Sequence, residues 1–265
     1  MQYRGAFHLH SSYSYDARLT LSELKTLFKE HRLSFALMTE HTDELTKERA
    51  AAFVDECREL SDADFLFVPG FEISYKDTHI LVPGCEHFIT QHATEAELVE
   101  WKKYAPIAIL AHPHRNGYRV DHIPRGILDG IEIWNSQYDG KQAPRNGARR
   151  LHKRLCISIP TLQAFAGWDL HRQAHAGGPT LVIEMEKLSK EHILKALREN
   201  RYTSESPQVV VASDGKLLRG GEMRTGIVSS FFVFSIRFLK AVNRVLSWFG
   251  LALPKSIVAA VRRRM

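Results

Sequence analysis

Short apolar runs alternate along this chain with stretches in which apolar residues recur every three or four positions. Tyr3–His10 reads as a strand. Thr20-Leu-Ser-Glu23 pairs a hydroxyl N-cap with a carboxylate three residues later, a capping box that opens a predicted helix to about Arg32. The run 34–40 ("SFALMTE") is apolar and ends in polar residues. Residues 47–60 are helical by composition and period. The stretches 65–74 and 79–84 read as strands punctuated by Pro-Gly pairs. A helix with a second capping box at Thr94/Glu97 is predicted over 93–104. Strands are predicted at 106–114 and 129–135, a basic helix at 143–155, and extended segments at 157–169 and 179–186. A helix capped by Ser189 covers 189–200. Repeated strand and helix with continuous apolar strands predicts an α/β fold, a parallel sheet covered by helices, open or closed into a barrel.

Polar residues fall at the ends of these runs. His41 follows "FALMTE", Glu72 ends "FLFVPGFE", His112 ends "AILAH", Asn135 ends "IEIWN", and Asp169 follows "LQAFAGW". In βα folds the C-terminal strand ends share one face, where sites are built. Residues remote in sequence are thus expected to converge.

The first strand carries His8 and His10. On a regular strand, positions i and i+2 point the same way, so both imidazoles should face one side while Phe7 and Leu9 face the other. An isolated pair of this kind is common among core histidines. Here it is joined by His41 in "TEHTD", Glu72 and His79 in "GFEISYKDTHILVPG", His112 and His114 in "AHPHRN", and Asp169 and His171 in "GWDLH". With Asp16, these imidazoles and carboxylates are the ligand types of Zn, Mn and Fe sites, and too many for one ion.

The set resembles the polymerase-and-histidinol-phosphatase (PHP) family of metal-dependent phosphoesterases. Its HxH, T-[DE]-H, isolated Glu, AHP and late G-x-D-x-H motifs occur here in order, over roughly residues 4–206. The resemblance implies an irregular (β/α)7 barrel and two or three divalent ions per chain. It implies one ion held by His8, His10, Glu72 and Asp169; a second, bridged by Glu72, with His79 and His112; and a third with Asp16, His41 and His171. It further implies hydrolysis of a phosphomonoester or phosphodiester, of a small molecule, nucleotide or oligonucleotide, by a metal-bridging hydroxide. Glu72 and Asp169 would be central to that chemistry and His114 is a candidate acid for the leaving group. Arg18, Arg115, Asn135 and Arg172 are candidate substrate contacts, and Trp134 and Trp168 flank the set as pocket wall or core. Two features depart from the family pattern. Only residues 80–111 lie between His79 and His112, too few for the insertion domain with which many small members hold a nucleotide. Glu40 stands where Asp is common.

Charge divides the chain. From Gly226 to Met265 there are seven Lys or Arg and no Asp or Glu, so the net charge of +6 belongs to the tail and the body is near neutral. We therefore expect a barrel over 1–212, a Gly-rich charged linker over 213–225, and a basic amphipathic helix over 226–265. Arg237, Lys240, Arg244 and Ser247 form its polar stripe, which disfavours a simple transmembrane span. It would lie on an anionic membrane surface, or dock on the barrel or a second subunit. Three dispersed cysteines and an N-terminus unlike a signal peptide fit a cytoplasmic protein, peripheral to the inner membrane face if the tail binds lipid. The alternatives to a phosphoesterase are hydrolysis of a non-phosphate ester or carbamate on the same metals, and a non-catalytic metal-binding module recruited to a membrane.

Overall fold

The computed structural model describes residues 1–88, 94–120, 122–124 and 126–221. The tail expected to be an amphipathic helix over 226–265 lies outside them. Strands β1 (Gln2–Leu9), β2 (Phe35–Met38), β3 (Glu40–His41), β4 (Leu66–Val68), β5 (Gly70–Tyr75), β6 (Thr78–Pro83), β7 (Ile109–Leu110), β8 (Gly130–Asn135) and β9 (Gln163–Gly167) are succeeded by β10 (Thr180–Glu184), β11 (Tyr202–Glu205), β12 (Val210–Ala212) and β13 (Leu217–Arg219). Helices α1 (Leu21–Glu30), α2 (Lys47–Leu60), α3 (Glu95–Trp101), α4 (Ser136–Asp139), α5 (Asn146–Leu155) and α6 (Lys190–Arg198) lie between them.

The strands form two sheets, in the orders β13-β12-β11-β10-β1-β2-β4 and β3-β5-β6-β7-β8-β9. They are mixed, not parallel throughout as the alternation predicts. β1, β2 and β4 are parallel, as are β7, β8 and β9. β5 and β6 are joined by Lys76 and Asp77 alone, with Lys76 at φ 53°, and so short a link permits only an antiparallel pair. The two sheets meet at both ends of the ligand set. Thr39 N donates to Leu9 O where β2 gives way to β3, and Trp168 N donates to Phe7 O beyond β9. His10 N and Leu170 O, and Leu170 N and His8 O, continue that pairing at 3.0 and 3.2 Å. Phe7, Phe35, Leu37, Val68, Leu81, Ile109 and Phe165, drawn from both sheets, share one core cluster with Leu181, Ile183, Ile193 and Leu197.

Both predicted capping boxes form, at Thr20/Glu23 and Thr94/Glu97, and Ser189 caps α6. On α1 the residues Leu21, Leu24, Leu27 and Phe28 make one buried stripe. Other boundaries differ from the sequence reading. The strand expected over 157–169 shrinks to β9, because the amides of Ile157, Ser158 and Ile159 turn back onto Arg154 O and Leu155 O and wind out the end of α5. The strand expected over 106–114 shrinks to β7, since the Asp129 carboxylate takes the Ala108 amide at 2.7 Å. Within the stretch read as a linker, Gly215 (φ 79°) turns the chain and β13 pairs with β12, so residues 217–219 belong to the first sheet. Strand β11 went unread.

Gly70 marks the tightest crossing near the site. A Cβ there would meet Val82 O at 2.6 Å and Met38 O at 2.7 Å, both backbone atoms that cannot swing aside. Gly70→Ala is expected to cost roughly 1–3 kcal/mol by overpacking, read as a lower urea midpoint at unchanged m-value.

Candidate metal centre

β1 does not run regularly through its two histidines. Phe7 pairs with Leu37 and Leu9 with the very next residue, Met38, so His8 is the extra residue of a β-bulge, with φ 61°. Phe7 therefore packs in the shared core, whereas Leu9 joins the cluster of α1 and α2 with Ala6. Strict alternation, which puts Phe7 and Leu9 on one face, fails at this point. Both imidazoles nonetheless reach one buried space, because the bulge re-aims His8. His112 (φ 23°) and Asp169 (φ 53°) also have left-handed backbone. Such residues cost of order 1–3 kcal/mol each and persist where surrounding structure holds them.

Glu72 occupies the centre. It lies within β5, which runs on to Tyr75, not at a strand end. Its Oε2 is 3.0 Å from His8 Nε2, 3.2 Å from His10 Nε2 and 3.7 Å from His41 Nδ1. Its Oε1 is 3.1 Å from His112 Nε2 and also contacts His79 Nδ1. Asp169 Oδ1 lies 3.6 Å from His8 Nε2 and 3.4 Å from His171 Nδ1. Asp16, partly exposed, reaches His41 Nε2 at 3.6 Å and His171 Nε2 at 3.4 Å. Four overlapping triads have ligand atoms within 4.8 Å of one another: His8/His10/Glu72, His8/His112/Asp169, His41/Glu72/His79 and His10/His41/His171. The sequence-predicted ligands other than Asp16 fall in these triads, and Asp16 borders them.

The electrostatics fit a cation. Burial opposes the charge on Glu72, yet His79, His41 and His8 hold its carboxyl well below the usual range. Asp169 is likewise opposed by burial and held low by His8, His171 and His112. Burial keeps His10, His41 and His112 neutral, with His171 and His41 adding repulsion at His10. Neutral imidazole and ionised carboxylate are the forms that bind metal. Burial also opposes charging at His8 and His171, but Glu132, Asp169 and Glu72 hold His8 well above the usual imidazole range and Asp16 and Asp169 push His171 up to about 9, so at both a proton occupies a ligand position. The fit shows most directly at two buried nitrogens, His10 Nε2 and His41 Nδ1. They make no hydrogen bond although Glu72 lies beside both, and a lone pair facing a carboxylate is satisfied by a cation between them.

A further layer orients these ligands. Glu132 Oε1 accepts from His8 Nδ1 at 2.9 Å, and its Oε2 accepts from the His112 amide at 2.7 Å and Asn135 Nδ2 at 2.9 Å. Glu132 is a charged residue in the apolar run "IEIW", a signal visible in the sequence, and its basic partner is His8. Asn135 also donates to Asp169 Oδ2 at 3.2 Å. Its side-chain amide thereby links Glu132, behind the ligands, to the candidate ligand Asp169. Asp139 Oδ2 fixes Asn135 in turn through its amide, at 2.8 Å. On the opposite side Glu40 accepts from the Ser11 amide and the Ser14 hydroxyl. Ser14 Oγ in turn accepts from the His41 amide at 2.9 Å and lies 3.3 Å from His10 Nδ1. Glu40 thus acts through Ser14, which sequence reasoning missed. Gly167 makes room: a Cβ there would meet Glu132 Oε1 at 2.2 Å and His8 Cβ at 2.7 Å.

The remaining candidates sit at the rim or in the core. Arg18, Arg115 and Arg172 are exposed, and Arg172 Nε donates to His175 Nε2 at 2.7 Å. His114, half-buried, packs against Tyr118 and Tyr138 and belongs to none of the four triads. Trp134 and Trp168 are wholly buried, with their indole N–H groups on Gly140 O and Pro179 O, so they serve the core. No helix among the described residues is long and apolar enough to cross a membrane.

Comparison with known proteins finds the same fold. No family model matches the chain, and no curated protein does. Among solved structures, a two-domain protein from Bacteroides vulgatus containing a predicted PHP-like metal-dependent phosphoesterase matches with a TM-score of 0.58 and 15% identity, over 80% of this chain and 67% of that one. Endonuclease Q, in complex with duplex DNA bearing an abasic lesion, matches with a TM-score of 0.50 and 16% identity, over 74% of this chain and 56% of that one. PsfC from Pseudomonas syringae covers 89% of this chain at 13% identity and a TM-score of 0.49. The fold is that of PHP-like proteins, in agreement with the resemblance carried by the motifs.

Two outcomes test the layer behind the ligands. Glu132→Gln, which weakens the hold on His8 while keeping the shape, is expected to lower metal affinity about 10–100-fold, measured by competition with a chromogenic chelator. Burial pushes the Asp139 carboxyl up to about 7, against the downward pull of the Asn135 amide and Arg145. A carboxyl raised on folding contributes stability below its unfolded pKa and loses it as pH rises through the folded one. Between pH 4 and pH 8 the Asp139→Asn variant should therefore gain roughly 2–4 kcal/mol relative to the parent, read by chemical denaturation of the metal-loaded proteins.

Proposed function

We propose that this protein is a metal-dependent phosphoesterase with a centre of two or three divalent ions in a seven-stranded PHP-type barrel. The observation that carries it is Glu72, wholly buried, ionised and facing five imidazoles, two of which have nitrogens with no hydrogen-bond partner. Two structural neighbours whose names include a phosphoesterase and a nuclease support the assignment at the level of fold. The pairing of residues 168–170 with β1 supports closure of the barrel.

In this reading His8, His10, Glu72, His79, His112 and Asp169, with Asp16, His41 and His171, hold the ions. Ions so bound lower the pKa of water and neutralise charge on phosphoryl oxygens. The chain's own groups do the rest. Glu132 fixes the His8 ring so that Nε2 faces the centre, and Asn135 restrains Asp169 through one carboxylate oxygen, leaving Oδ1 toward His8 and His171. Arg115 lies within electrostatic range of Glu72 and Asp169, where it would pair with a phosphoryl oxygen. Arg18 and Arg172 would meet more distant anionic groups. His114, one residue past Pro113 from His112, would deliver the proton to a leaving alkoxide.

The test is a panel of phosphomonoesters and phosphodiesters, run in parallel with carboxyl esters and carbamates, on protein loaded separately with Zn, Mn and Fe. Hydrolysis confined to phosphoesters, abolished by chelation and restored by metal, is expected. Glu72→Gln and Asp169→Asn should each lower kcat by more than about 100-fold, beyond the effect of a residue behind the ligands, with the fold intact by circular dichroism. Fully loaded protein that cleaves only carboxyl esters or carbamates would overturn the proposal.

A further inference from the structure

Tyr15 stands between two residues that belong to the centre. Ser14 before it ties His10 and His41 to Glu40, and Asp16 after it borders His41 and His171. Its own side chain goes elsewhere. It is 57% exposed, one of few large apolar side chains left open on the described surface. Its ring leans on the His41 imidazole with centroids 5.3 Å apart, and among the described residues its hydroxyl has no hydrogen-bond partner. The fold therefore holds one edge of an aromatic ring at the lip of the centre and gives its open face no work.

The surroundings fix what could use that face. Arg115 lies within electrostatic range of Tyr15 and also of Glu72 and Asp169. A phosphoryl oxygen paired with Arg115 while its phosphorus faces the centre would leave the ester substituent beside Tyr15. The other tyrosine near Arg115, Tyr138, has its ring packed on His112 and His114 and is half-buried, so it forms wall. An open phenol face beside an anion site suits a flat, polarisable group, since offset stacking gains more there than contact with a flexible alkyl chain. The stretch between His79 and His112 is short, so this chain lacks the room that an insertion would give for holding such a group from outside.

We propose that Tyr15 is the stacking platform for a planar aromatic ring carried by the substrate, so that ring-bearing phosphoesters such as nucleoside phosphates are preferred over their ringless counterparts. The proposal rests on the phosphoesterase reading for its anchor point at the ions and Arg115.

Two substrate pairs isolate the ring from leaving-group chemistry. Adenosine 5′-phosphate and ribose 5-phosphate lose the same kind of alkoxide. Thymidine 5′-(methyl phosphate) and 2-deoxyribose 5-(methyl phosphate) lose the same methoxide. For whichever pair the metal-loaded full chain hydrolyses, kcat/KM should favour the ring-bearing member about tenfold or more. Tyr15→Ala should bring that ratio toward one, chiefly through KM, and Tyr15→Phe should keep it. A ratio near one in the parent, or a ratio that survives Tyr15→Ala, overturns the proposal. Calorimetric binding of adenosine 5′-phosphate and ribose 5-phosphate to the metal-loaded parent and Tyr15→Ala proteins separates the two readings. If neither pair is hydrolysed, tenfold tighter binding of the ring-bearing compound that Tyr15→Ala abolishes upholds the platform while the phosphoesterase reading fails. Equal binding of the two compounds overturns the platform as well.

Discussion

A carboxylate taken wholly out of water is among the costliest things a fold can contain, and Glu72 is one. Its desolvation costs several kcal/mol even after relaxation, and the chain meets that cost with imidazoles instead of Lys or Arg. This choice decides what the site is for. A Lys or Arg pair would be a finished salt bridge. Of the five imidazoles around it, the three kept neutral by burial, His10, His41 and His112, offer lone pairs beside the carboxylate, an arrangement that suits cations. The nearby left-handed conformations of His8, His112 and Asp169 arise from the same demand. Side chains from β1, from the turn after β7 and from the turn after β9 reach one point only if the backbone bends away from regular strand geometry there.

The second layer explains why those bends hold. Glu132 grips three groups at once, the His8 ring, the His112 backbone and the Asn135 amide, so one carboxylate sets two ligands and one support. Its own position depends on Gly167, where any side chain would fill the space its oxygen takes. On the far side, the chain from Glu40 through Ser14 reaches His10 and the His41 amide. A longer acid at Glu40 spans the distance that Ser14 then completes, which gives a physical sense to the Glu standing where Asp is common. Each ligand in these two networks is thus held by a group that never touches the ions.

Much of this was legible in the chain, and the limits have definite causes. The capping boxes at Thr20 and Thr94 read directly into helices because N-cap chemistry is local. The candidate ligands could be picked out because their motifs occur in the order found in the PHP family that the chain resembles. The bulge at His8 could not be read, since it inserts one residue into a pattern that otherwise alternates well. Antiparallel β6 and β7 were hidden because alternation of strand and helix resembles a parallel repeat; only the two-residue link at Lys76-Asp77 betrayed the hairpin. β7 looked long by composition, but Asp129, remote in sequence, displaces its ladder. The bonds of Asn135 to Glu132 and Asp169 could not be read for a similar reason: they arise only from tertiary packing.

The centre is also asymmetric, and that asymmetry sets the direction from which a substrate must come. His8, His10 and Glu72 are sealed, with side chains 0–1% exposed, backed by Glu132 and the shared core. His79, His171 and Asp16 are 20%, 19% and 39% exposed. Among the described residues, those three form the open edge of the ligand set. Tyr15 lies within electrostatic reach of Asp16 on that edge and its ring packs on His41, and Arg115 lies within reach of Tyr15, Glu72 and Asp169. In the proposed reaction, a phosphoryl group arriving there would meet a guanidinium and cations as it lost water, so its charge would be neutralised at the moment of desolvation. The ester substituent trailing behind the phosphorus would then lie by the same opening, beside the exposed phenol. Selectivity in such a site is therefore written on its lip, in residues that hold no metal, while the buried histidines and carboxylates that carry the motif say nothing about the substrate's other end.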